Sequence, residues 1–156
     1  MDDGLPALKL ALLLFWTAWF AVVFLTNVFG GLKAMGALPP SWKFASANYQ
    51  AVAKATARYG PPAWLPPVLF VGVVLWQLAA AALFAWAAGA WLLDGRLDWR
   101  AVNLAFGAGI GLWAAFMLAD EIVLKYEFER THELLFIAQL ASLVAMHVLP
   151  GLPSPQ

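Results

Sequence analysis

The chain of 156 residues contains no cysteine. Disulfides, thiolate nucleophiles and cysteine-ligated zinc or iron–sulfur centres are therefore excluded. Charge is scarce too. Charged residues make up 12% of the chain, where soluble domains carry about 25%. Nine basic residues balance nine acidic ones, so there is no basic field to attract a nucleic acid, and no such partner is expected. Histidine occurs only as His132 and His147. The Gly-x-Ser-x-Gly, His-Glu-x-x-His, P-loop and dinucleotide signatures are missing. The serines have no obvious His and Asp neighbours, so nothing in the sequence argues for an enzyme.

What the chain has is apolar length. It is 63% hydrophobic, with a mean hydropathy of +0.77. A soluble protein of this size would have to bury nearly everything it has; a bilayer supplies an apolar solvent instead. A span needs roughly 20 mainly apolar residues, and four segments qualify, at about residues 10–29, 67–93, 101–119 and 134–149. The N-terminal MDDGLPALK has two acids and one Lys in place of a basic n-region, so the first run reads as a retained span. The expected fold is all-α: a single polytopic domain of four transmembrane helices arranged as two hairpins, with the lipid bilayer as its surroundings. Trp42 and Trp64 in the first loop, and Trp91 and Trp99 around the second, suit the headgroup layer.

The first loop is long, about residues 30–66, and Pro39–Pro40 and Pro61–Pro62 mark its turns. Between them, residues 46–58 read as a short interfacial helix with Ser46 as its N-cap. Gln50, Lys54 and Arg58 line its polar side, and Val52, Ala55 and Tyr59 its weak apolar side. Loops 1 and 3 carry Lys33, Lys43, Lys54, Arg58, Lys125 and Arg130 against Lys9, Arg96 and Arg100 on the other side. That bias puts loops 1 and 3 in the cytoplasm.

The densest charge lies in LADEIVLKYEFERTHELLF, with neither Gly nor Pro from Leu112 to Leu149. One helix through all of it would be about 55 Å long, more than a bilayer's thickness. The chain must turn near residues 125–131 or project from the membrane. If helical, Glu121, Lys125, Glu129 and Glu133 form an i, i+4 ladder. With Arg130 and His132 they make a charged hairpin tip suited to docking. Asp120 and Glu121 directly follow an apolar run, where ionisable groups are costly and point to an ion or proton pathway. Glu121 is the expected centre of such a site, with Arg130, Lys33, Lys54 or Arg58 as partners and Asn27 and Gln77 as intramembrane polar groups. Glu129 and His132 have Glu-x-x-His spacing, but a bundle di-metal site needs that motif twice, so neither a metal nor another cofactor is expected. The two histidines lie near opposite ends of one span and cannot share a haem iron. Gly107, Gly109 and Gly111 are small residues that let another helix approach closely, within the chain or in a partner.

Several of these stretches together resemble a bacterial family described as predicted small integral membrane proteins, a domain of unknown function. The shared features are TNVFGGL at the end of span 1, WKFASANYQ in the first loop, a polar residue in span 2 (here Gln77, where the family usually has an acid) and the run from Gly107 through Trp113, Phe116 and Met117 to Glu121. The resemblance implies a four-span fold in a bacterial inner membrane and no particular activity. From the residues, two functions are expected. The first is a non-catalytic accessory or assembly subunit with a protein partner or a second copy in the membrane. The second is a small proton-coupled carrier.

Overall fold

In lipid, a chain must satisfy its own backbone N–H and C=O groups, and a helix does so within one segment. The computed structural model describes residues 4–124, 126 and 128–149. They form five helices: α1 (Gly4–Ala34), α2 (Asn48–Ala57), α3 (Leu65–Asp94), α4 (Trp99–Val123) and α5 (Glu129–Val148). All but α2 are long and apolar enough to cross a membrane. The fold is all-α, with no strand among the described residues. The helices outrun the apolar windows that mark them in sequence. α1 has 31 residues and α3 has 30, about 45 Å each, whereas the 20 residues of α5 give about 30 Å, the thickness of the hydrocarbon core.

Local chemistry sets the ends. Pro66 and Pro67 occupy the first turn of α3, where a missing N–H costs nothing. Gly95 closes α3 in the left-handed conformation, φ 65°. Asp98 caps α4, its carboxylate accepting from the N–H groups of Arg100 at 2.9 Å and Ala101 at 3.2 Å. The turn from α4 to α5 has no glycine available. Leu124 takes the left-handed conformation itself, at φ 50°, a strain of order 1 kcal/mol. This break also dissolves the expected charge ladder: Glu121 belongs to α4, and Glu129 and Glu133 to α5. Lys125 lies outside the described residues.

α1 packs on α3, α3 on α4 and α4 on α5, and α5 returns to touch α1. Aromatic rings fill the centre. Phe20 of α1 stacks on Phe84 of α3 (centroids 5.8 Å apart) and on Trp113 of α4 (5.9 Å), and Phe106 of α4 meets Phe84 edge-on at 4.9 Å. Trp91, expected in the headgroup layer, is part of this core; Trp42, Trp64 and Trp99 are exposed. Between helices in lipid such close packing, rather than expulsion of water, is the cohesive force. The three glycines of α4 do not share one face. Gly109 lies directly against the Gln139 amide of α5, Gly111 faces the Trp76 ring of α3, and among the described residues nothing lies within 4 Å of a Cβ placed on Gly107.

Loop 1 folds back onto the bundle. The Ser46 N–H donates to the Thr26 carbonyl of α1 at 2.9 Å, and Gly30 makes the approach possible. A Cβ there would stand 2.5 Å from the Ser46 carbonyl oxygen. Ser46 is consequently not the N-cap of α2. That position is Ala47, with no side-chain cap; one residue earlier the Ser46 hydroxyl donates to Asn27 and still accepts from the Asn48 N–H of α2 at 3.4 Å. On the expected apolar side of α2, Val52 and Ala55 are half-buried, with Tyr49 and the buried Thr56 beside them, while Tyr59, beyond the end of the helix, is exposed.

Gly30→Ala is expected to lower stability by about 1–3 kcal/mol, the usual cost of forcing a backbone apart, while Gly107→Ala is near neutral. Thermal unfolding of both variants in one detergent tests this; equal midpoints would remove the close approach from the account.

Candidate functional site

The polar residues expected within the spans fall into two separate groups. The first is built on Asn27, buried on α1. Its Nδ2 donates to Gln77 Oε1 of α3 at 2.8 Å. Its Oδ1 accepts from the Ser46 hydroxyl at 2.5 Å and from Asn48 Nδ2 at 2.8 Å. Asn27 and Gln77 are thus brought together, as interhelical partners that also anchor loop 1. Ser46 and Asn48 complete the group, and no periodicity marks them for it.

The second group lies between α4 and α5. Asp120, in the last turn of α4, is 8% exposed. Glu121, the expected centre of the site, points outward and is exposed. Adjacent helical positions lie about 100° apart, so only one of the two can face the bundle. The partner of Asp120 is His132 in the first turn of α5, its Nδ1 2.6 Å from Asp120 Oδ2. Arg58 donates instead to the Val123 carbonyl at 2.9 Å, and the Tyr59 hydroxyl to the Ile122 carbonyl. Together they satisfy carbonyls at the end of α4. Lys33 donates to the Trp42 carbonyl at 3.0 Å. Arg130, Glu133 and Lys54 are exposed.

Trp113, Phe116 and Asp120 share one face of α4 (i, i+3, i+7). The His132 ring lies across them, stacked on Phe116 (4.8 Å, 23°) and Trp113 (6.3 Å, 23°). With Asp120 ionised, the carboxylate only accepts, so His132 Nδ1 carries the proton. Further along the same seam, both amide atoms of Gln139 and the Nε1 atom of Trp113 are buried without a hydrogen-bond partner among the described residues, as is Trp19 Nε1 on α1. Trp16 Nε1 donates to Ser142 Oγ at 3.1 Å. At the opposite end of α5, His147 Nε2 lies 3.0 Å from Asn103 Oδ1, and its ring stacks on Trp99 at 4.5 Å. Lys9, buried on α1, stands over the same Trp99 ring.

His132, Gln139 and Ser142 recur at i, i+7 and i+10, a spacing that holds one helical face. A lone amide in an apolar span seven residues after a histidine was the available signal for Gln139. Comparison with models of known protein families, with curated proteins and with solved structures finds no match to the chain.

His132→Phe keeps the ring stack but strands the Asp120 carboxylate, and is expected to cost about 1–3 kcal/mol. Adding Asp120→Leu should recover part of that. A double-mutant cycle on thermal stability checks it, and a coupling energy near zero would mean the two side chains do not act as a pair.

Proposed function

We propose that this chain is a non-catalytic accessory or assembly subunit of a larger complex in a bacterial inner membrane, and that α5 is the helix on which a partner packs. The observation that carries the reading is the exposure of α5. Only 11% of its most apolar window is buried, against 22, 28 and 39% for the other spans. Its outer face holds a shallow apolar groove lined by Ile137, Leu140, Ala141, Val144, Ala145 and Val148. Ala141 and Ala145 are four apart, a small-x-x-x-small spacing that lets a second helix approach closely. The role moves here from the glycines of α4, because Gly109 and Gly111 are already occupied by contacts within the chain. The partner is the transmembrane helix of another protein or of a second copy. The six-to-three bias of basic residues favours a cytoplasmic position for loops 1 and 3, which would turn the charged tip toward the cytoplasmic face of the complex.

A specific observation favours a second reading, a proton-coupled carrier. It is the part-buried Asp120–His132 pair, with the Trp113 and Gln139 groups that have no partner among the described residues along the same seam. Ionisable groups at such sites are costly to retain without a role.

Both readings are testable. Ala141→Leu with Ala145→Leu is expected to abolish co-purification of the partner from mild detergent while the monomer still folds; undiminished recovery would overturn the accessory reading. For the carrier, Asp120→Asn should abolish proton uptake by proteoliposomes followed with an internal pH dye. Wild-type uptake in that variant removes the second reading and leaves the first untouched.

A further inference from the structure

A cleft of about 270 Å³ opens between α1 and α3 beneath α2. Val28, Gly31 and Leu32 form one wall, Phe70 and Val74 the other, and Tyr49 of α2 stands at its mouth. Tyr49 meets the buried Phe70 ring edge-on at 5.4 Å. Gly31 and the Phe70 ring meet at the floor of the cleft, where a Cβ on Gly31 would come within 3.1 Å of the ring, so a chain would lie along the open side of that contact. Along α1 the cleft runs from Val28 to Met35, about 10 Å at 1.5 Å per residue. It leads from the loop-1 end of the bundle into the apolar region.

Its shape excludes a partner helix. A helix with its side chains is about 10–12 Å across, too wide for this slot, and Tyr49 blocks a continuous span from running up past it. A single extended hydrocarbon chain fits such a slot. The charge of loop 1, which supplies Tyr49 to the cleft, selects the headgroup. From Gly30 to Pro66 loop 1 contains Lys33, Lys43, Lys54 and Arg58 and no Asp or Glu. Lys33 and Arg58 hold backbone carbonyls. Lys43 and Lys54 are exposed.

We infer that this cleft binds one acyl chain of an anionic phospholipid, with the phosphate held by the basic side of loop 1. Such a lipid would brace α2 against the first hairpin, on the face away from α5, so it is independent of partner docking there.

The test is native mass spectrometry of the full chain released from micelles doped equally with phosphatidylglycerol and phosphatidylcholine. The wild type should retain one phosphatidylglycerol in preference to phosphatidylcholine. Lys43→Gln and Lys54→Gln should each reduce that preference about fivefold, the usual contribution of one basic residue near an anionic surface. Val71→Trp, at an exposed position on the cleft wall, should cut retention of both lipids. Equal retention of the two lipids by the wild type would overturn the inference. So would undiminished phosphatidylglycerol on folded Val71→Trp. If that variant fails to fold, the lysine variants decide, and an unchanged preference in both counts against the site.

Discussion

The fold turns on one amide. Asn27 sits inside an apolar bundle, where a polar group without partners is expensive and one with several is an organiser. It binds Gln77 on α3 and the Ser46 and Asn48 side chains of loop 1. That fixes where the loop returns, and the Ser46 N–H then reaches the Thr26 carbonyl. From this anchor α2 has one direction to run, and at its end Arg58 and Tyr59 meet the last carbonyls of α4. The first hairpin is thereby joined to the second on the loop-1 side by hydrogen bonds that lipid could not replace.

The second hairpin is built differently. Its turn has no glycine, Leu124 adopts a left-handed conformation, and the Asp120–His132 contact closes the two helices just behind it. The stacked Phe116 and Trp113 rings hold the imidazole flat against α4, so His132 is placed by packing as well as by charge.

The four spans were legible because apolar length is a one-dimensional signal. The helix in loop 1 was legible from Gln50, Lys54 and Arg58, whose spacing survives in the fold. Helical phase was not legible where apolar residues surround a polar one on every side. Asp120 and Glu121 have the same apolar flanks in sequence, and only the position of α5 decides which is buried. The glycines fail for a related reason. Gly107, Gly109 and Gly111 form a tidy run, yet a two-residue step on a helix is about 200°, so Gly109 faces α5 while its neighbours face elsewhere. Ser46 illustrates another limit: its hydroxyl accepts from the Asn48 N–H at the start of α2 and also donates to the distant Asn27 amide, and local sequence signals only the first.

The two functional readings converge on α5. Aromatic rings from α1, α3 and α4 fill the centre of the bundle, so the polar side chains of the second group are confined to the seam where α5 meets α1 and α4. The inner face of that helix carries His132, Gln139 and Ser142; the outer face carries the apolar groove. α5 is also the least buried span, held mainly by α4 and only lightly by α1.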